Sequence, residues 1–331
     1  MRKNGRSMPP IKSAKRFVKK AARRAGCWKD AVFDRSPKLL VPVFHRIVPS
    51  IDGDPLNIMV SEKKFIRLID ALATRYPVIS LSDAAGQAKA GRPKARCQVV
   101  VTFDDGYRDN HDVAFPILKR KGVPAAFFVA TDYIGADAPL WDLSLISMVL
   151  CNRIDGIDLG DSVFRKRAAE SRRSFAFRVL ARIKSVEPEK RSSIMGAMRA
   201  RIVPAIPLRA FPADRCLTWD EARAMLAAGM EFGSHGMSHT SLAKAEADSA
   251  RREIGDSKLI IERNLHRPCE HFAFPFGSRR DYNNELIRYV REAGYKTCLL
   301  NVHGFNRLDG GCFCLKRIIM DEFTDERHIF G

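Results

Sequence analysis

No apolar run in the chain approaches the roughly 20 residues needed to cross a bilayer; the longest are Pro124 to Ala130 and Leu145 to Leu150. A helical membrane span is therefore excluded. Cysteine is scarce: eight residues among 331 cannot frame a disulfide scaffold, none pair as CxxC, and only Cys312 and Cys314 are near neighbours. They read as reduced core thiols. The first thirty residues lack an apolar stretch of signal-peptide type and a small-residue cleavage site, so a cytoplasmic protein is expected. They also lack any acidic residue before Asp30. Zinc-finger spacing, RNP-like aromatic runs and a basic zipper are all missing, so no specific nucleic-acid role is expected. That holds although 57 basic residues face 38 acidic ones, for a net charge of +19.

What the chain does have is a globular composition, 46% hydrophobic and 29% charged, which removes intrinsic disorder as the dominant state. The length accommodates two domains, or one α/β barrel with insertions. Ile11 to Gly26 carries the basic pairs Lys15/Arg16, Lys19/Lys20 and Arg23/Arg24, interleaved with Phe17, Val18, Ala21 and Ala22. This reads as a short basic amphipathic helix. It either adsorbs to anionic lipid on the inner face of a membrane, at about 1 kcal/mol per basic residue, or is a solvated terminus. Residues 1–36 are accordingly set apart from a main domain over 37–331.

Within that domain, short runs rich in Val, Ile and Phe alternate with longer amphipathic stretches, the rhythm of β/α units. Strands are expected at Leu39 to Phe44, Pro77 to Leu81, Gln98 to Phe103, Ala125 to Ala130, Met230 to Gly233, His271 to Phe274, Thr297 to Leu300 and Cys314 to Ile319. Helices are expected at Ser61 to Arg75, Asp109 to Lys121, Thr218 to Ala228, Ala245 to Asn264 and Asn283 to Ala293. From about 136 to 216 the strands give way to a helical, Arg-rich insertion that ends near Pro204, Pro207 and Pro212. It is either a substrate-gripping lid or a solubilising helical excursion.

Candidate chemistry gathers at three places. The β-branched run Val99 to Thr102 ends in Phe103-Asp104-Asp105-Gly106-Tyr107, which puts two carboxylates at the C-terminal end of a strand, where barrel active sites sit. Adjacent strand residues point to opposite faces, but a Gly directly after them lets the backbone turn both toward one cavity. The alternative is a plain Asp-Asp-Gly turn. Glu231 to Ser234 runs into His235-Gly236-Met237-Ser238-His239, two imidazoles four residues apart among small residues. With one carboxylate they make the three protein ligands of an open catalytic zinc site. Third, Phe272 to Phe274 stops abruptly at Pro275-Phe276-Gly277, a rim suited to lining a groove.

These segments resemble the NodB-type polysaccharide deacetylases of carbohydrate esterase family 4 over about Leu39 to Met320. Thr102 to Gly106 is similar to the TFDDG motif and His235 to His239 to the HxxxH motif. The flanks agree at Tyr107 to Asn110, Val123 to Ala125 and Leu217 to Trp219. The resemblance implies an α/β fold, a distorted, incomplete (β/α) barrel. It implies a general base at Asp104 and a divalent metal on Asp105, His235 and His239, with zinc the first choice and cobalt, nickel or manganese as substitutes. Pro275, Phe276 and Tyr107 are implied as substrate contacts, with the Phe276 N–H as an oxyanion donor.

Two departures stand out. Where the family's third motif carries an Arg that orients the base, this chain has Ala273, and Arg317 in the last apolar strand is the candidate replacement. No Leu-x-His motif follows Cys314. Instead Val43-Phe44-His45 has the same form at an N-terminal strand end, as in the circularly permuted branch that includes poly-N-acetylglucosamine deacetylases. His45 is therefore the expected acid, with His303 its competitor and a backbone-bonded core histidine the alternative reading of His45. The reaction implied is hydrolytic N-deacetylation of an N-acetylhexosamine glycan. The alternatives are a deacylase of another small amide, or a degenerate domain binding glycan or anionic lipid.

Overall fold

The computed structural model describes residues 36–51, 53–159, 162–201, 215–308 and 313–325. The expected basic helix of Ile11 to Gly26, and the prolines expected to end the insertion, lie outside these residues.

Eight parallel strand segments form the central sheet: β1 (Pro42–Phe44), β2 (Val101–Phe103), β3 (Ala125–Val129), β4 (Glu231–Ser234), β5 (His271–Ala273), β6 (Thr297–Leu300), β7 (Cys314–Lys316) and β8 (Ile318–Ile319). Their spatial order is β7-β6-β5-β4-β3-β2-β1-β8. Segments β7 and β8 are halves of one stretch parted only by Arg317; the first half pairs with β6 and the second with β1. That single stretch nearly closes the sheet into a barrel, as expected from the resemblance. The outer helices are α1 (Glu62–Arg75), α2 (Leu81–Ala90), α3 (Phe115–Lys121), α4 (Trp141–Cys151), α5 (Arg172–Ile183), α6 (Pro188–Arg201), α7 (Trp219–Ala227), α8 (Ala247–Leu265) and α9 (Asn284–Glu292).

Helix starts follow from the sequence. Ser61 caps α1 by accepting the Lys64 N–H, and Asn283 caps α9 by accepting that of Leu286. Thr218 and Glu221 form a reciprocal capping box on α7.

Period-2 alternation sorts the strand side chains into two layers. Phe44, Phe103, Phe127 and Phe232 face the helices, and Phe103 stacks between Phe44 at 5.4 Å and Phe127 at 4.6 Å. Val41, Ala126, Phe128, Ala273, Leu299 and Leu315 form a separate cluster that fills the barrel. Gly233 belongs to this inner layer: a Cβ there would lie 2.5 Å from the Phe128 ring, so the close passage of β4 over β3 requires glycine.

Several local expectations are corrected. Leu39 to Phe44 and Gln98 to Phe103 are not single strands. Lys38–Leu40 pairs with Cys97–Val99 on one side and with Asn306–Arg307 on the other in a small separate sheet, and the chain then steps from the first two into β1 and β2. An unbroken apolar run cannot reveal such a change of sheet. Pro77 to Leu81 contributes only one bridge, Val78 to Val99, before α2 begins. The first turns of the Asp109 to Lys121 helix are a π-helix over Asn110–Ala114. The insertion is not wholly helical: between α4 and α5 it holds an antiparallel hairpin, Gly156–Asp158 with Val163–Arg165. Cys151 is exposed rather than in the core, and all six cysteines among the described residues are free.

Candidate active site

Alternation along the strands decides which side chains reach the barrel mouth. Phe103 faces the helices, so Asp104 faces in; Phe232 faces the helices, so His235 just beyond β4 faces in; Leu315 faces in, and so does Arg317 two residues on. Asp105 would point away, but the chain turns there. Asp105 has φ 76° and Gly106 φ 74°, and a Cβ on Gly106 would lie 2.9 Å from Val129. The turn swings the second carboxylate back into the mouth. The turn reading and the site reading of Asp-Asp-Gly are thus one structure.

The histidine segment is a loop, with Gly236 and His239 at positive φ. Glu253 of α8 holds it by accepting the N–H groups of Met237 and Ser238 and the Ser238 hydroxyl. The Trp141 indole donates to the His239 carbonyl at 2.9 Å. His235 Nδ1 lies 2.8 Å from the Ala273 carbonyl, which only accepts, so this nitrogen donates its proton there and turns Nε2 toward the shared centre. That Nε2 lies 3.4 Å from Asp105 Oδ1, and His239 Nε2 lies 3.2 Å from the same oxygen. One ligand atom from each of Asp105, His235 and His239 falls within 4.8 Å of the others, and all three residues are buried.

The electrostatics suit a cation. Three buried carboxylates, Asp104, Asp105 and Asp142, converge here; Arg317 lies against the first and imidazoles against the others. Burial works against charge on Asp105, but His239 and His235 outweigh it and hold its carboxyl well below the usual range. Burial pushes Asp142 up; His239 opposes that push and Asp105 adds to it. Burial also resists a proton on His239, yet the carboxylates of Asp142, at 3.5 Å, and Asp105 raise its pKa. One imidazole between two carboxylates, its Nε2 aimed at the shared centre, is the donor set of a metal–histidine–carboxylate site. The residues fit a divalent ion.

Arg317, fully buried, reaches both oxygens of Asp104 at 2.6 Å, a fork-on-fork pair. Burial resists ionisation of Asp104, but Arg317 and His235 overcome it and its carboxyl lies below the ordinary value. Ala273, where a motif Arg was expected, is fully buried in the inner layer.

His45 follows β1 directly at the mouth, and it acts electrostatically on both Asp104 and Asp105. Its Nδ1 is buried with no hydrogen-bond partner among the described residues, unlike a core histidine satisfied by backbone. His303 is exposed beyond β6. Pro275 is buried and Phe276, at φ 59°, lies with its ring 4.6 Å from that of His239. Asn301 donates to the Phe276 carbonyl and fixes the bend. Tyr107 is fully buried, its hydroxyl without a partner among the described residues and its ring 4.9 Å from the Arg46 guanidinium.

Several supporting residues were not anticipated. Arg46 forms a buried pair with Asp109 at 2.8 Å, and Asn110 beside it donates to the His45 carbonyl at 2.7 Å. Burial, opposed by Arg46, pushes Asp109 up to about 6. The insertion also reaches the site. It has its own apolar core, which includes Trp141, Phe175 and Met198, and it sends Arg191 of α6 to the Ser238 carbonyl and hydroxyl. Lys184, just after α5, pairs with Asp281 at 2.6 Å and lies 3.9 Å above the Phe276 ring.

Comparison with known proteins agrees with this geometry. Residues 91–298 match the family model for polysaccharide deacetylase. YxkH of Bacillus subtilis (strain 168), which carries the same family name, is 20% identical over 227 residues, 69% of this chain; the chain spans 52% of that relative's length. Among solved structures, the Streptococcus pyogenes deacetylase PplD, in complex with acetate, is 19% identical with TM-score 0.59, over 89% of this chain and 97% of that one. IcaB from Ammonifex degensii is 17% identical with TM-score 0.56, over 86% and 93%. A de-N-acetylase from Aggregatibacter actinomycetemcomitans is 16% identical with TM-score 0.57, over 88% and 98%. His45 and Arg317 lie outside the span matched by the family model, whereas Asp104, Asp105, His235 and His239 lie inside it. The chain therefore belongs to the polysaccharide deacetylase family, of NodB type.

Proposed function

We propose that the protein removes the acetyl group from an N-acetylhexosamine unit of a glycan by metal-dependent hydrolysis. The observation that carries this reading is the convergence of Asp105, His235 and His239 beside a second carboxylate, Asp104, clamped by Arg317. Asp105, His235 and His239 would hold the ion, zinc by preference for two imidazoles and a carboxylate. When bound, such an ion acidifies water toward a pKa of about 7 and polarises a carbonyl oxygen.

The chain's own residues supply the remaining steps. Asp104, kept ionised by Arg317, takes the proton from the water that attacks the acetamide carbon. Its low basicity is the cost of that clamp; its fixed orientation is the gain. The Phe276 N–H, which has no acceptor among the described residues, donates to the developing oxyanion, at roughly 2.7–4 kcal/mol for a donor of this type. As the C–N bond breaks, His45 gives its proton to the departing nitrogen, leaving a free amine and acetate. Pro275 and Tyr107 complete the contacts around the acetyl group on this reading.

A deacylase of a small non-sugar amide would use the same residues, and no feature of the site favours it. The basic segment Ile11 to Gly26 is proposed as an anionic-membrane anchor on its sequence alone. The deciding experiment is acetate release from a panel of N-acetylated oligosaccharides and glycolipids, with free amine appearing in equal amount. Acetate from no member of the panel would refute the reading.

A further inference from the structure

Parallel pairing of β6 with β7 sets Cys298 opposite Cys314, Leu299 opposite Leu315 and Leu300 opposite Lys316. Residues paired in this way project to the same face of a sheet. Leu299 and Leu315 fill the barrel, so both thiols point outward, Cys298 buried in the helix-facing core and Cys314 half-buried against it. Their sulfurs lie 3.0 Å apart, the Cys298 S–H donating to Cys314 Sγ. Neighbouring strands are about 4.7–4.9 Å apart, inside the roughly 4.4–6.8 Å of Cα separation that a disulfide spans. Bond formation asks the two sulfurs to approach by only about 1 Å.

The two thiols are not equivalent. The hydrogen bond from Cys298 holds the Cys314 thiol below its ordinary value; Arg291 of α9 adds to this and burial opposes it. The same hydrogen bond, together with burial, pushes the Cys298 thiol well up. Arg291 lies 4.2 Å over the ring of Phe313, the residue before Cys314. The more accessible sulfur thus takes the thiolate form beside a guanidinium, and the buried one keeps its proton. That is the division between an attacking and a resolving thiol. Cys151 is more exposed, yet it has no hydrogen-bonded thiol among the described residues.

We propose that Cys298 and Cys314 are a peroxide-oxidisable pair that closes into a disulfide between β6 and β7. The Cys314 thiolate attacks a hydroperoxide oxygen: the S–O bond forms, the O–O bond breaks, and the departing oxygen takes a proton from solvent and leaves as water or alcohol. The Cys298 sulfur then attacks the Cys314 sulfur. The S–S bond forms, the S–O bond breaks, and hydroxide leaves with the Cys298 proton as water. The two thiols lose two electrons and the peroxide gains them; a dithiol reductant reverses the bond. The bond staples β7 to β6 on the outer face, just before the chain reaches inward-facing Arg317.

The test treats the reduced full chain with equimolar hydrogen peroxide, alkylates the remaining thiols and digests with trypsin without reduction. Mass spectrometry should find peptides 297–307 and 308–316 joined, with Cys151 still alkylated. Peptide 308–316 also contains Cys312, which lies outside the described residues. Cys312→Ser should therefore keep the link, whereas Cys314→Ser and Cys298→Ala should abolish it; thermal melting before oxidation confirms that each variant folds. Dithiothreitol should restore both thiols. Closing a loop of about 15 residues should raise Tm by roughly 4 °C in the wild type and not in Cys314→Ser. No link even in excess peroxide, a link that survives in Cys314→Ser, or oxidation of Cys151 ahead of the pair would overturn the proposal. A link with no rise in Tm would overturn the staple.

Discussion

Replacing Arg317 tests the part of the site that lies farthest from the family's motifs. Asp104 is fully buried and its two oxygens each accept a 2.6 Å bond from the one guanidinium. Arg317→Met keeps side-chain bulk but removes both donors, leaving an uncompensated buried carboxylate at a cost of about 3–5 kcal/mol. The pH dependence has a definite sign. In the wild type the folded pKa of Asp104 lies below its unfolded value, so the pair's stabilisation is present above about pH 4 and is lost as pH falls through the lower folded value. Without Arg317, burial becomes the dominant influence and the folded pKa moves above the unfolded one. Stability attributable to Asp104 then falls as pH rises through that interval, by up to about 1.4 kcal/mol per pH unit. Urea unfolding of chelator-treated protein from pH 4 to 8 reads this slope, and acetate release by metal-loaded protein reads the base. We expect Arg317→Met to be destabilised, to lose at least about 100-fold in kcat/KM, and to show an acid limb displaced to higher pH. Arg317→Lys should recover charge but not the fork, and fall between. A Met variant within about 1 kcal/mol of wild type, with an unmoved acid limb, would refute the clamp.

Other expectations follow from the same structure. His45→Ala should retain its metal by elemental analysis yet lose about 10²- to 10⁴-fold in turnover, while His303→Ala loses far less; the reverse pattern would transfer the acid role to His303. Phe103→Ala, which removes the middle ring of the outer stack, should cost about 3–5 kcal/mol in urea unfolding without altering metal content. Full-length protein should co-sediment with anionic but not neutral vesicles and release in 1 M salt, where screening shortens to about 3 Å. Equal binding after deletion of residues 1–30 would sink the basic-helix proposal.

How far the sequence could be read depended on the distance between partners. Asp104 with Asp105, and His235 with His239, are each contained within a few residues, so strand end, turn and ligand type were legible together. Arg317 lies 213 residues from Asp104, and only its presence in an otherwise apolar strand, with Ala273 where a motif Arg was expected, pointed to the pair. Asp142 behind His239 and Glu253 under the histidine loop left no local trace, since each is joined to the site only by folding. The steps of the chain between sheets at Val41 and Val100 were equally hidden: both residues are apolar and fully buried, and an all-apolar run gives period-2 reading nothing to break on. The insertion's Arg-rich composition suggested a solvent face, but its inner side carries an apolar core of its own and touches the reacting centre through Trp141.

Hydrolysis of a glycan acetamide with one divalent ion on Asp105, His235 and His239 remains the proposal on which the rest depends. Its most direct measurement is acetate release from an N-acetylglucosamine tetramer by chelator-treated protein, as zinc is added back in known equivalents. Negligible release is expected without metal, with a rise that levels off at one equivalent per chain and no restoration at that level in His235→Ala or His239→Ala. Undiminished release from the fully chelated protein, or restoration in both variants equal to wild type, would contradict it.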